Sequence, residues 1–241
     1  MTQRPRLAHS CSPILIALGL AVLVSSAAVG QESYVDWQTA TGSGATFTWD
    51  LLTGTVQIPT TVNAGSTANA IELVDGATNY PDAWYSPAAP PVGTEWLSSG
   101  VGNLDGANPG TADWVITFSG PVVDPRFHFL NLDAATVDFG ATTDTSSNPV
   151  ALSLLSGNPE LEVAGNVVNS TPRQAFAFGC EDAVGGNPEG ACGTVQLTGT
   201  YDSVTFTLTD TDINIAGGDG FWWTLSATGP VPVELQSFTI D

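Results

Sequence analysis

The 241-residue chain has no lysine, four arginines, two histidines and three cysteines, set against 24 aspartates and glutamates. Arg4 and Arg6 fall in a segment that reads as a removable leader. The rest keeps only Arg126 and Arg173 as cations, for a formal charge of 2 − 24 = −22. A field of that sign repels phosphate backbones and anionic lipid surfaces alike, which excludes nucleic acid as a partner. Histidine is as scarce: beyond the leader only His128 remains, in a strand-like run, and no G-x-S-x-G elbow presents a serine. The sequence therefore gives no Ser/His/Asp hydrolase a base to work with, and His128 is expected to be a packed or surface side chain. No H-E-x-x-H, P-loop or dinucleotide fingerprint occurs. Long apolar runs are lacking too. Ile14 to Val24 is about half of the roughly 20 residues that span a bilayer, so membrane insertion is not expected.

That short run has a use. With Arg4 and Arg6 before it and Ser25-Ser26-Ala27-Ala28-Val29-Gly30 after it, residues 1–30 form a secretory signal peptide, and the expected mature protein starts near Gln31 outside the cytoplasm, secreted or at the cell surface. Cys180 and Cys192, the cysteines left after the leader, lie in a Gly/Pro-rich stretch and are expected to form a disulfide in that oxidising setting. No linker-like shift divides the chain before Gly229-Pro230-Val231-Pro232. The expected organisation is one domain over 31–230 followed by a C-terminal strand or linker, 231–241.

Twenty-six glycines, 16 prolines and a wealth of threonine favour strands joined by tight turns. Alternation is clearest from Gly193 to Thr209. There Val195, Leu197, Val204, Phe206 and Leu208 face one way and Thr194, Gln196, Thr205, Thr207 and Thr209 the other, which reads as a hairpin turning at Gly199-Thr200-Tyr201-Asp202 with one wet face. Trp114–Phe118, Arg126–Leu132, Tyr34–Gln38, Thr46–Leu51 turning at Thr53-Gly54 into Thr55–Ile58, Val150–Leu155, Leu161–Val168 broken at Gly165-Asn166, Gln174–Phe178, Trp222–Ala227 and Glu234–Ile240 are further strands. No stretch has sustained helical periodicity. The fold class is all-β, a two-sheet antiparallel sandwich of jelly-roll or lectin-like type. The segment from Asn63 to Asp113 reads as too irregular for sheet and too aromatic for a plain linker.

Candidate sites are few. Trp84, Tyr85 and Trp96 in that segment are either ligand-contacting rings or core anchors, the residues alone favouring neither. In Trp222-Trp223, adjacent rings must take opposite faces, so one is buried and the other exposed or covered by a loop. Asp210-Thr211-Asp212-Ile213-Asn214 begins like an EF-hand loop but lacks its glycine and final glutamate. Asp210, Asp212, Asn214 and Asp219 form either a solvated acidic turn or an irregular Ca²⁺ site. The acid excess itself suits salty, halophilic surroundings, and multiple bound Ca²⁺ ions are the other explanation. Paired carboxylates for glycoside cleavage cannot be nominated from so many acids.

Asp36-Trp37, the run Ala112–Phe129 and the run Gly193–Phe206 together resemble the non-repetitive domain of CshA-type surface adhesins, over most of residues 34–228. The resemblance implies a lectin-like β-sandwich that captures a host or matrix ligand. Pro232-Val233-Glu234-Leu235-Gln236-Ser237-Phe238 is similar to the segment that joins functional domains to C-terminal sorting modules in type IX secretion, which implies either a truncated product or a last strand without an anchor. The expected function is a secreted, non-enzymatic binding module for an extracellular glycan or protein. A self-assembling subunit of a fibre, sheath or surface layer is the alternative, and a two-carboxylate glycoside hydrolase comes third.

Overall fold

The computed structural model describes residues 32–58, 67–73, 82–101, 110–132, 134–170, 180, 190–210 and 219–228. The leader, the strands expected at Gln174–Phe178 and Glu234–Ile240, and the tail 231–241 lie outside the described residues. So do Asp212 and Asn214.

Fifteen strands are described and no α-helix among them. They are β1 Glu32–Tyr34, β2 Asp36–Thr41, β3 Gly44–Trp49, β4 Leu52–Gln57, β5 Thr67–Leu73, β6 Glu95–Val101, β7 Thr111–Val123, β8 Arg126–Leu132, β9 Ala135–Asp138, β10 Ala151–Gly157, β11 Leu161–Ala164, β12 Val167–Ser170, β13 Ala191–Thr198, β14 Thr200–Asp210 and β15 Asp219–Thr228. One sheet has seven strands in the order β10-β13-β8-β15-β6-β5, with β1 also on β15. The other has eight, β11-β12-β9-β14-β7-β4-β3-β2. Every pairing is antiparallel. The two sheets pack face to face as the all-β sandwich the sequence predicts.

Alternation puts every second residue into the space between the sheets. Trp37, Phe47, Trp114, Ile116, Phe118 and Phe206 enter from the eight-stranded sheet and Phe127, Phe129, Leu197, Phe221, Trp223 and Leu225 from the seven-stranded one, none more than 5% exposed. Rings meet across the gap: Trp37 and Trp223 at 5.3 Å, Phe206 and Trp223 at 5.7 Å, and Phe127 and Phe206 at 6.1 Å, all edge to face. Such pairs contribute about 0.5–1.5 kcal/mol each beyond the area they bury.

The structure changes three expectations. The strands of the expected hairpin at Gly193–Thr209 do not pair. β13 belongs to the seven-stranded sheet and β14 to the eight-stranded one, so the chain crosses the core at Gly199, whose φ of 136° glycine alone adopts readily. β7 and β8 cross in parallel at Asp124, also at positive φ, and the crossings are tied: Asp124 N–H donates to the Gly199 carbonyl, and Gly199 N–H to Asp124 Oδ1, both at 2.7 Å. Alternation reports which face is buried and not which strand is the neighbour, so arch and hairpin look alike in sequence.

The turn expected at Thr53-Gly54 falls earlier, at Asp50-Leu51, with Asp50 at a φ of 51°. Gly54 is instead paired with Phe47, whose ring fills the space that a Cβ would need. Finally, the segment 63–113 holds β5, β6 and the start of β7. Both faces of β6 are covered, so Trp96 and Leu97 are buried side by side and the sequence shows no alternation there.

Candidate functional site

The aromatic trio is scaffold. Trp96 is 0% and Tyr85 2% exposed, in a second apolar cluster with Leu130, Cys180 and Cys192 on the outer face of the seven-stranded sheet. Trp84 and Trp222 pack against it. A 3₁₀ turn, Asp82–Trp84, and the chain after it lie across this face. Ser86 N–H donates to Thr194 Oγ1 at 3.1 Å, Ser156 Oγ to the Trp84 carbonyl at 3.1 Å, and the Tyr85 hydroxyl to the Phe129 carbonyl at 2.8 Å. Trp84, Tyr85 and Trp96 therefore form no exposed platform. The reason is that the outer face of the seven-stranded sheet is itself apolar enough to need a cover. Trp223 points into the main core and Trp222 under the cover, the arrangement expected for adjacent rings.

The Cys180–Cys192 disulfide is formed, with Cα atoms 5.6 Å apart, as expected. Asn158 clamps it, accepting from Cys192 N–H at 3.0 Å and donating to the Gly190 carbonyl at 2.8 Å.

Under the same cover runs a polar chain. His128 is fully buried, with Nδ1 3.0 Å from Thr194 Oγ1 and Nε2 2.6 Å from Ser226 Oγ. Ser226 donates onward to Glu32, which is ion-paired with Arg126, and Arg126 Nε donates to Gln196 Oε1 at 3.2 Å. Because the Ser226 proton goes to the carboxylate, Nε2 must carry the imidazole hydrogen and Nδ1 must accept from Thr194. Burial, reinforced by the Arg126 charge, pushes the His128 pKa down to about 3, so the ring is neutral. Burial and the Glu32 charge hold the Tyr34 hydroxyl well above the usual phenol range. In a serine hydrolase the histidine takes the serine's proton. Here the serine lies between histidine and carboxylate and points its proton away, so the chain fixes structure and activates no nucleophile.

Among the described residues, Asp36 and Glu95 form a carboxyl pair. Glu95 is pushed above the ordinary carboxylate range by burial first, then by the Asp36 charge and the hydrogen bond the two share. Groups in hydrogen-bond contact are closer than the about 5–5.5 Å of retaining or about 6.5–9.5 Å of inverting glycosidases, so the pair leaves no room for a sugar. Of the candidate Ca²⁺ ligands, Asp210 ends β14 with its side chain 1% exposed and Asp219 opens β15. Among the described residues no group of three or more His, Cys, Asp or Glu is placed to hold a metal.

The open surface lies on the other side. The outer face of the eight-stranded sheet carries hydroxyls in cross-strand register: Thr39 is paired with Thr46, Thr46 with Thr55, Thr55 with Thr117 and Thr117 with Ser203, one row across five strands. A second row holds Thr48 beside Thr53, whose N–H donates to Ser119 Oγ at 2.9 Å. Toward the far edge follow Thr205, Thr207 and Thr209, the last beside Thr111 and Thr136. Two open grooves adjoin on this face. One of about 460 Å³ is lined by Thr46, Thr48, Thr53, Thr55, Thr117 and Ser119, and one of about 590 Å³ shares Thr46 and Thr55 and adds Thr39, Thr41 and Gln57. Neither groove has a charged lining residue. In a chain of formal charge −20, groove linings without charge are a local departure, and Asp36 borders them at the edge of the second row, where it accepts from Thr48 Oγ1 at 3.4 Å. The sequence reading placed a wet threonine face only along Gly193–Thr209, and there Thr194 is instead fully buried under the cover of the other sheet; the groove threonines come together only through strand order.

The chain matches no family model, no curated protein and no solved structure in the comparisons made with them.

Proposed function

We propose that the protein is an exported, non-enzymatic binding module that recognises an extracellular glycan or protein through the neutral hydroxyl face of its eight-stranded sheet. The observation that carries this reading is the pair of adjoining grooves, free of charged lining residues on an otherwise strongly acidic chain. Hydroxyls that donate and accept complement a neutral polar ligand, while the surrounding acids discourage anionic ones. The signal peptide, the disulfide and the resemblance to CshA-type adhesin domains support the same reading. The buried state of His128 and the contact distance of Asp36 and Glu95 favour binding over catalysis.

The test is capture of folded protein on immobilised glycans and matrix proteins, across salt and Ca²⁺ conditions. Capture should fall to background when Thr46 and Thr55 are both changed to Glu and persist when Ser153, exposed on β10, is changed to Glu. Background capture by the folded wild type in every condition overturns the reading. Concentration-dependent light scattering in the same samples would instead favour the self-assembling subunit.

A further inference from the structure

We propose that the hydroxyl face binds ice. The inference rests on the reading of that face as the binding surface and goes beyond it in naming a ligand that is a lattice. Strand pairing sets hydroxyls of one row about 4.7–4.9 Å apart, and residues i and i+2 of one strand about 6.7 Å apart. Thr46 and Thr48 on β3, Thr55 and Thr53 on β4, and Thr117 and Ser119 on β7 supply hydroxyl pairs in register on three successive strands, with Thr39 extending the first row onto β2 and Asp36 ending the second. The hydroxyls thus repeat in two nearly perpendicular directions, with spacings of similar size to those of oxygen rows on hexagonal ice.

Four further properties suit ice better than a soluble ligand. Threonine is stiff at χ1, so its hydroxyl and methyl are held in place before binding; the Thr39 and Thr46 hydroxyls are further fixed by a mutual hydrogen bond of 2.7 Å. Each hydroxyl contact is weak, and a flexible soluble chain would spend that gain on being ordered, whereas a crystal face is already ordered. No aromatic side chain is among the large exposed apolar residues described, so the ring stacking on which sugar platforms rely is not offered here. The absence of charge from both grooves fits as well, since a charged group holds its own hydration shell against the lattice.

The experiment uses the exported full chain and measures thermal hysteresis, ice-crystal shaping and inhibition of ice recrystallisation. Wild type should shape ice and show hysteresis. Thr55→Tyr with Thr117→Tyr should reduce both to the level of a non-binding protein of equal concentration with an unchanged melting temperature, while Ser153→Tyr on the opposite sheet should keep them. Wild type that leaves ice unshaped overturns the proposal. If the same sample still captures a glycan or matrix protein, the general reading of the face survives. Hysteresis that persists in the folded double variant also overturns it, since the ice site would then lie elsewhere.

Discussion

The two outer faces of the sandwich begin from the same kind of strand and end with opposite fates. On the eight-stranded sheet, Thr46, Thr55 and Thr117 stand in solvent. On the seven-stranded sheet, the corresponding outward positions include Trp96, His128, Leu130, Thr194, Thr224 and Ser226, all at most 3% exposed. The difference lies in what else each face carries. Outward tryptophan and leucine draw the 82–94 segment down as a cover, and once covered Thr194, Ser226 and His128 take internal partners because water cannot serve them, while the buried Thr224 hydroxyl has none. A threonine in a strand is thus a surface hydroxyl or a buried structural one according to its neighbours on the same face. The first kind is free to meet a ligand, and the second holds the fold.

The largest effect expected from breaking this contrast is at Trp96. Trp96→Ala should cost about 3–5 kcal/mol in a chemical denaturation midpoint analysis, because the ring is wholly buried against Tyr85 at 6.2 Å. A cost within about 0.5 kcal/mol, the range for ordinary surface changes, would mean that the cover is dispensable and the two faces are alike.

Next comes the bridge at the rim of the cover. Cys180→Ser with Cys192→Ser should cost about 3 kcal/mol in the chain-entropy model for a loop of sequence separation 12. Non-reducing peptide mapping of the wild type should first find the two cysteines linked. Free thiols at both positions in the exported protein would contradict the structure.

The third stability effect is the acid response of the polar chain. His128 ionises near 6.5 when unfolded and is pushed down to about 3 when folded. Between those values the unfolded chain binds a proton that the folded one refuses, so this contribution is full above pH 6.5 and is lost as pH falls toward 3. Glu95 acts in the opposite sense. Its raised pKa makes the folded state the better proton binder, so acidification through that range favours folding. His128→Gln should therefore flatten the fall of the melting temperature from pH 6.5 toward 3, and an unchanged slope would show that the ring is hydrated and not enclosed.

Much of the architecture was legible in the sequence: the fold class, the disulfide, the opposed rings of Trp222-Trp223, the strands β7 and β8 and the inward faces of β13 and β14. What was hidden followed from physical degeneracy. Gly199 reads as a hairpin turn because period-two alternation is blind to whether the next strand returns beside the last or crosses the core. β6 reads as loop because a strand buried on both faces has no alternation to show. The rings at 84, 85 and 96 were ambiguous because an aromatic in a Pro-rich segment is equally suited to cover and to platform. The hydroxyl array was present only as scattered T-x-T pairs, and register across β2, β3, β4 and β7 was needed to join them.

The most direct test of the account is one capture measurement on two folded proteins, wild type and the Thr46→Glu, Thr55→Glu variant, over the same panel of immobilised glycans and matrix proteins. The account predicts capture of at least one ligand by wild type and background signal from the variant at an unchanged melting temperature. Equal capture by both would contradict it, because recognition would then lie away from the hydroxyl face.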